Sequence, residues 1–207
     1  PIWDYEYNLL TIGLQSRDYV TCAFEEADLI ISIGYDLVEY APMYWNPNRD
    51  KKIIHIDFVE AEVDEYYHPD VEIVADIAGT LWGLNEHFNS TREDKGAWAA
   101  KYRELILNDI NEYNDDTSFP AKPQKIIHDI REFLDDDDIL ISDVGAHKMW
   151  IGRMYIARAP NTCIISNGFA AMGIALPGAM AAKLLYPERK ILAVCGDGGF
   201  LMNVQDL

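Results

Sequence analysis

Six short runs rich in Ile, Leu and Val are the feature that most limits how this chain can fold. Their apolar residues are nearly continuous, which is typical of strands in a parallel sheet covered on both faces. Three runs lie in the first half of the chain and three in the second: 27–35, 51–58, 71–77, 138–145, 161–167 and 190–197. The sequence therefore predicts an α/β protein with two Rossmann-like parallel-sheet blocks.

Helical patterns fill most of the segments between these runs. We predict helices over 79–88, 95–113, 123–134, 146–157 and 170–186. A short acidic helix within 59–70 should end before Pro69, because the residue before a proline avoids the helical conformation. Pro177 should kink the last helix or mark a break near Leu176.

The helix at 95–113 carries one apolar face. Trp98, Tyr102, Leu105, Ile106 and Ile110 recur at helical spacing, which predicts a packing surface. The following segment, 114–124, combines acids, Ser, Thr and two prolines, and this composition predicts a linker.

Composition excludes several classes of partner and location. The 207 residues include 35 acidic and 17 basic side chains, a formal net charge of -18. Nucleic acids and anionic membranes are polyanions that bind clustered Lys and Arg, so neither is an expected partner. No segment has the ~20 apolar residues that span a bilayer, and the N-terminal residues lack signal-peptide zones, so we expect a cytoplasmic protein.

The cysteines of the chain and the acids of its first block give no strong site. Cys22, Cys163 and Cys195 show no zinc-ligand spacing, so we expect reduced, buried thiols. No GxGxxG follows the first strands, which gives little support to dinucleotide binding. Asp36 and Asp57 follow two strands, but acids in such places are more often turn formers or helix caps.

Unusual turns follow all three strands of the second block. They are SDVGAHK (142–148), SNGFAAMG (166–173) and CGDGGF (195–200). Because parallel strands end at one edge of their sheet, these turns should lie together in space, with helix N-termini directed at the cleft. Backbone amides in such a cleft favour a phosphate group.

The last of these turns places one acid among glycines. Gly196, Gly198 and Gly199 allow a backbone to approach a ligand closely, while Asp197 supplies an oxygen donor. A carboxylate beside a phosphate makes sense when a divalent cation lies between them, and Mg²⁺ prefers such ligands. The alternative is a tight turn with a helix-capping Asp, the commoner fate of a lone GDG.

These stretches resemble the acetolactate synthases that depend on thiamine diphosphate. ILAVCGDGGFLMNVQDL (191–207) resembles the start of the thiamine-diphosphate motif. ISDVGAHKMW (141–150) and SNGFAAMGIALPGAMAAKL (166–184) resemble the two preceding turns of that family. TIGLQSRDYVTCAFEEADLIISIGYDLVEYAP (11–42) is similar to the central domain of its catabolic, large-subunit-like members. The three turns in this order make the resemblance specific.

The resemblance implies roles for the matching positions. It implies Asp197 as a Mg²⁺ ligand. It implies cofactor contacts for Gly145, Ala146, His147, Ala170, Ala171, Met172, Gly196, Gly198 and Gly199. His147 would donate to the diphosphate, although a histidine at a helix start is more often a surface cap. Met172 would separate the two rings of the cofactor, although methionine at helical spacing is usually core.

Two positions depart from the family pattern. The carbonyl of Ala170 would accept a hydrogen bond from the aminopyrimidine, but family members often have glycine there. Alanine suits this position only if no positive φ is needed. Ala146 replaces the usual glutamine and removes a side-chain donor to the diphosphate.

The implied activity is condensation of two pyruvates to 2-acetolactate with loss of CO₂, toward branched-chain amino acids or acetoin. The cofactors would be thiamine diphosphate and Mg²⁺, in a homodimer or homotetramer. FAD is not expected, because flavin-containing members typically show Arg-Phe-Asp-Asp where this chain has GYDLVEY (34–40).

The resemblance also implies a division of the chain. Residues 1–90 match the C-terminal part of the central domain, 91–122 a helical connection and linker, and 123–207 the N-terminal part of the cofactor-binding domain. In the family, the activating glutamate and the other Mg²⁺ ligands belong to further segments. We therefore expect an internal fragment with two incomplete sheets and no catalytic residue, inactive alone and at best a weak cofactor binder.

Other interpretations remain open from the residues alone. A pyruvate oxidase, a glyoxylate carboligase or a sulfoacetaldehyde acetyltransferase would share the GDG half of the site. A non-catalytic Rossmann-like binding module and a purely structural α/β domain are alternatives of a different class.

Overall fold

The structure, a computed structural model, describes residues 7–12, 19–38, 40–88 and 97–207. The chain divides into two compact units, one from the range Gln15–Arg103 and one from Pro1–Leu14 with Glu104–Leu207. Each contains a three-stranded parallel sheet, so the predicted α/β fold class is confirmed. Most of the TIGLQSRD stretch, Glu39, and the start of the helix predicted at 95–113 lie outside the described residues.

The first unit follows the predicted order of strands closely. Its elements are α1 (Tyr19–Glu26), β1 (Leu29–Ile33), β2 (Lys52–Asp57), β3 (Val71–Val74) and α2 (Ile77–His87). The strands pair in the order β1-β2-β3, with Ile31 opposite Ile54 and Ile54 opposite Val71. Asp76 follows β3 and caps α2, since its Oδ1 accepts a hydrogen bond from the Gly79 amide at 2.6 Å.

An aromatic core covers one face of this sheet. Trp45, Ile53 and Tyr67 are buried, with Phe24 and Tyr35 packed against them. The rings of Trp45 and Tyr67 lie 6.0 Å apart in a T-shaped arrangement, which the charge distribution of aromatic rings favours.

The hydroxyl of Tyr67 joins two other buried polar groups inside this core. It lies 2.5 Å from Ser32 Oγ and 2.8 Å from His55 Nδ1. All three side chains are buried, so these bonds satisfy polar groups that water does not reach. Ser32 Oγ also donates to the Ile54 carbonyl at 3.2 Å, and His55 Nε2 lies 3.4 Å from the Val59 carbonyl. Burial raises the pKa of the Tyr67 hydroxyl, although the bond to Ser32 opposes the rise.

The acidic helix predicted within 59–70 is wrong, because residues 58–70 form a loop. In this loop Asp64 accepts a hydrogen bond from the Tyr66 amide at 2.7 Å, a local turn that competes with helix formation. Asp70 accepts the amide of Ile53 at 2.8 Å. The turn at Asp64, the bond between Asp70 and β2, and the burial of Tyr67 together override the local helical pattern.

Helix α3 (Ala97–Asn111) carries the packing face that the sequence predicts. Tyr102, Ile106 and Ile110 are buried, whereas Trp98 at the start of the helix is 41% exposed. Turns and bends then lead to the next helix, with an ion pair of 2.8 Å between Lys122 and Asp116. The domain boundaries at 90 and 122 stay predictions.

The second unit alternates helices and strands throughout. Its further elements are α4 (Pro123–Phe133), β4 (Ile139–Ser142), α5 (Ala146–Met154), β5 (Cys163–Ile165), α6 (Ala175–Leu185), β6 (Ile191–Val194) and α7 (Asp197–Met202). The strand order β5-β4-β6 places β4 in the middle, and its residues are all buried. Ile139, Ile141 and Ala175 form the core between this sheet and α6.

Helix α6 is shorter than the helix predicted over 170–186. Ala170 and Gly173 have φ values of +46° and +90°, which no right-handed helix contains, so the helix begins at Ala175. Pro177 lies in the first turn, where its missing N–H would have no partner inside the helix. The break expected near Leu176 is therefore the start of the helix.

Two further features of the described residues bear on the expectations from composition. In the part of the chain that the structure describes, no helix is long and apolar enough to cross a membrane. Cys22, Cys163 and Cys195 are free thiols of intermediate exposure, so they are less buried than the sequence suggested. Burial raises the pKa of Cys163 to about 11.

Removing the Tyr67 hydroxyl tests the polar network of the first unit. Tyr67→Phe leaves Ser32 and His55 without a shared partner, so the free energy of unfolding should fall by about 1–3 kcal/mol. Urea unfolding measures this loss. Tyr66→Phe is the matched control, because Tyr66 is only half-buried, and a loss of equal size in the control would contradict the assignment.

Candidate functional site

The turns after β4, β5 and β6 meet at the carboxyl edge of the second sheet, as predicted. The buried side chain of Asp143, which follows β4, accepts hydrogen bonds from the turn that follows β5. The same carboxyl group lies against Gly199 of the third turn, since a Cβ built there would be 3.0 Å from it. Three segments distant in sequence therefore form one site.

Asp143 is the residue that sequence reasoning missed. Its Oδ1 accepts the amides of Val144 at 2.7 Å and Gly173 at 2.8 Å, and its Oδ2 lies 3.4 Å from the amide of Ala175. The side chain is 0% exposed. The signal in the sequence was an acid placed directly between a buried strand and a glycine turn; Asp36 and Asp57 also come at strand ends but have no glycine turn after them and no such role.

His147 lies where the first and third turns approach each other. A Cβ on Gly145 would meet His147 Cε1 at 2.8 Å, and one on Gly196 would lie 3.6 Å from the same atom. Gly145 also has a φ of +157°, so both space and backbone favour glycine. The Nε2 atom of His147 is buried and has no hydrogen-bond partner among the described residues.

Met172 joins the second turn to the third. Its Cε lies 3.4 Å from the position of a Cβ on Gly198, while its side chain remains 44% exposed. Asn203, which sequence reasoning did not single out, donates from Nδ2 to the Gly173 carbonyl at 2.7 Å. Its distance of 30 residues from Gly173 hides this contact from any local pattern.

Ala170 has the positive φ that the sequence analysis named as incompatible with alanine. Its φ of +46° lies in the left-handed region, where a Cβ costs about 1–2 kcal/mol. Ala171 has no positive φ. Ala170 is half-buried, Ala171 is exposed, and Phe169 before them is fully exposed. The turn therefore holds a strained backbone next to its most exposed residue.

Asp197 and Ala146 begin the two helices that face this edge. Asp197 is exposed and its Oδ1 accepts the Gly198 amide at 2.8 Å, so it forms part of its own turn. Ala146 is exposed as the first residue of α5 and offers no side-chain donor. Behind them, burial and the charge of Asp143 raise the pKa of the Cys195 thiol, which keeps it protonated at neutral pH.

The residues present fit a diphosphate group. His147 offers a buried ring nitrogen without a partner, and Gly196 and Gly198 leave room for close approach. Lys148 adds a positive charge, held by a bond of 3.0 Å from its Nζ to the Ser166 carbonyl. These are donors and a cation, the groups that an anion requires.

The metal side of the site offers one carboxylate. Within the described ranges no group of three His, Cys, Asp or Glu side chains could hold a metal ion, so no cage made by these residues alone is present there. Asp197 fits an ion such as Mg²⁺ that takes its other ligands from phosphate oxygens and water.

Comparisons with known proteins agree with this geometry. Residues 2–84 match the central domain of thiamine pyrophosphate enzymes, and residues 143–207 match the C-terminal TPP binding domain of the same enzymes. The second match begins at Asp143 and includes the second and third turns and all but the first residue of the first turn. Together the matches span well over half of the chain.

Individual relatives are acetolactate synthases. The chain is 36% identical to the acetolactate synthase of Bacillus subtilis over 95% of its own length and 35% of that protein's. It is 35% identical to the catabolic acetolactate synthase of Raoultella terrigena over 95% of the chain and 35% of that protein. It is 32% identical to a probable acetolactate synthase large subunit of Methanocaldococcus jannaschii over 99% of the chain and 36% of that protein. The chain spans about a third of the length of these relatives.

Relief of the strain at Ala170 should stabilise the second unit. Ala170→Gly removes a left-handed penalty of about 1–2 kcal/mol but adds about 0.5–1 kcal/mol of chain entropy to the unfolded state. We expect a net gain of up to about 1 kcal/mol in the free energy of unfolding, measured by urea denaturation. Ala171→Gly is the control and should lose about 0.5–1 kcal/mol; a loss in both variants would contradict the strain.

Proposed function

The chain belongs to the thiamine pyrophosphate enzymes, and on that premise we propose that it forms part of an acetolactate synthase. The proposal assigns the carboxyl edge of the second sheet to the diphosphate end of the cofactor. The observation that carries it is the meeting of three turns that place His147, Met172 and Asp197 at one edge. The names and similarity of the relatives support the choice of reaction.

The diphosphate is proposed to bind beside His147. The imidazole Nε2 is the one buried polar atom of this edge without a partner among the described residues, so an anion there would satisfy it. Gly145 and Gly196 both lie against the Cε1–Nδ1 edge of this ring and give the ligand access to backbone. A side chain at Gly145 would push the histidine away, since even its Cβ would lie 2.8 Å from Cε1.

Asp197 is proposed to hold Mg²⁺ against the diphosphate. Its exposed carboxylate supplies one oxygen ligand, and the Gly198 amide bond fixes the direction of that carboxylate. Mg²⁺ takes several of its ligands from water or phosphate. A single carboxylate is therefore all that this turn needs to supply.

Met172 and the carbonyl of Ala170 are proposed to shape the reactive half of the site. When bound, thiamine diphosphate supplies the electron sink that lets a 2-oxo acid lose CO₂. Met172 presents an exposed, polarisable side chain beside Gly198, which suits contact with an aromatic ring. The left-handed conformation of Ala170 fixes the direction of its carbonyl, which could then accept a hydrogen bond.

Pyruvate is the proposed substrate and 2-acetolactate the proposed product. A homo-oligomeric state and independence from FAD belong to the same proposal. A protein purified in its native form should then lack visible flavin absorbance, and its size in solution should exceed that of one chain.

Product analysis tests the reaction. The native protein, supplied with pyruvate, thiamine diphosphate and Mg²⁺, should form 2-acetolactate, which acid converts to acetoin for detection. Consumption of pyruvate with other products would indicate a different thiamine-diphosphate reaction. Absence of cofactor binding would favour a non-catalytic module and overturn the proposal.

Substitution of Asp197 tests the metal site. Loss of one charged ligand costs about 1.5–3 kcal/mol, so Asp197→Ala should raise the half-saturating Mg²⁺ concentration by at least about 10-fold at fixed thiamine diphosphate. Asp206→Ala removes an equal charge from an exposed acid nearby in sequence and is the control. Equal shifts in both variants would point to net charge alone and reject the ligand.

A further inference from the structure

We propose that Asp143 is a positioning residue for the cofactor site, because its buried carboxylate holds the turn 166–173 in the conformation that presents Met172. No direct contact between Asp143 and the cofactor is implied. The last link, from the turn to the cofactor, rests on the proposed function. The first link, from Asp143 to the turn, rests on the hydrogen bonds and burial described above.

On the side of the turns, backbone amides satisfy the charge of Asp143, and the Cys195 thiol forms a further hydrogen bond with it. Within the described part of the chain Asp143 forms no ion pair, and amides of Val144, Gly173 and Ala175 donate to it. A carboxylate that accepts two or three backbone N–H groups can remain ionised without a cation. Because a buried charge without hydrogen bonds is costly, the carboxylate of Asp143 fixes where those amides lie.

Gly173 is held from both of its polar groups. Its amide donates to Asp143 at 2.8 Å, and its carbonyl accepts from Asn203 at 2.7 Å. Its φ of +90° is a conformation that glycine adopts readily, whereas the φ of +46° at Ala170 in the same turn persists only when the surroundings fix it. Asp143 supplies that restraint on the amide side.

Close packing leaves the carboxyl group little freedom. A Cβ on Gly199 would lie 3.0 Å from Cγ and from Oδ2 of Asp143, and 3.1 Å from Oδ1. The third turn therefore packs directly against the carboxylate. An asparagine at position 143 would direct its NH₂ group either at the backbone N–H donors or at Gly199, so the turn would have to move.

The experiment compares Asp143→Asn with Asp138→Asn. Asp138 is also buried, at the other end of β4, where it accepts the amides of Asp135 and Lys190 at 2.8 Å each. Both variants replace a buried carboxylate by its isosteric amide, but only one contacts the turns. Urea unfolding of each variant provides the correction for general stability.

Limited proteolysis without cofactor measures how readily the turn 166–173 opens. Phe169 is fully exposed and is a chymotrypsin site, identified by mass spectrometry of the fragments. Asp143→Asn should be cleaved after Phe169 at least about 10-fold faster than the wild type, a change equal to about 1.4 kcal/mol in local opening. Asp138→Asn should change this rate by less than about 3-fold. Equal acceleration in both variants would overturn the proposal.

Calorimetric titration of the native protein with thiamine diphosphate and Mg²⁺ tests the last link, from the turn to the cofactor. The Kd should rise at least about 10-fold in Asp143→Asn and less than about 3-fold in Asp138→Asn. Faster cleavage with an unchanged Kd would overturn the link to the cofactor. If the wild type binds no cofactor, the proposed function fails, while the cleavage rates still decide whether Asp143 holds the turn.

A second variant keeps the test decisive if Asp143→Asn does not fold. Asp143→Ser is smaller and its hydroxyl can still accept one amide hydrogen bond, so it should fold with an intermediate cleavage rate. If neither variant folds, Asp143 supports the whole second unit rather than one turn, and the positioning role is rejected.

Discussion

A carboxylate that is buried without a cation must find hydrogen-bond donors, and Asp143 finds them in the backbone of two turns. The strand order brings the turns to the same edge of the sheet, but it does not decide how they fit together. The charge of Asp143 does, because moving any of these amides away would leave its buried carboxylate short of a hydrogen-bond donor, in a site that Gly199 closes. The position of Met172 beside Gly198 follows from that arrangement.

The first unit shows the other fate of an acid after a strand. Asp36 accepts the amide of Val38 at 2.9 Å and Asp57 that of Phe58 at 2.6 Å, and both act as turn formers, as expected. They line a cavity of about 260 Å³ with His55 and Tyr67, whose polar atoms already bond to each other. A site whose polar groups are satisfied internally offers a ligand less than one with a free buried nitrogen.

The strands and the meeting of three turns could be predicted, because both follow from apolar periodicity and from the geometry of parallel sheets. The acidic segment 59–70 could not, since the burial of Tyr67 against Ser32 and His55 is a long-range effect. Nor could Asn203, which is 30 residues from its partner Gly173. Ala170 is a different case: the resemblance raised the question of a positive φ there, but alanine itself gives no sign of one, and the restraints on its turn impose it.

The net charge of -18 raises the question of how this chain could bind an anion. Charges beyond about 8–10 Å are screened at physiological salt, so the overall charge weakens the approach of a diphosphate more than its final contacts. At the edge itself the groups within reach are His147, Lys148 and backbone amides, with one acid, Asp197, exposed where a cation can sit. On the proposed function, a divalent cation reverses the sign of the exposed charge that would repel the ligand, while Asp143, the other acid of this edge, is buried and bonded to backbone amides. Anion binding then depends on local donors and metal, and a surface rich in acids can remain around it.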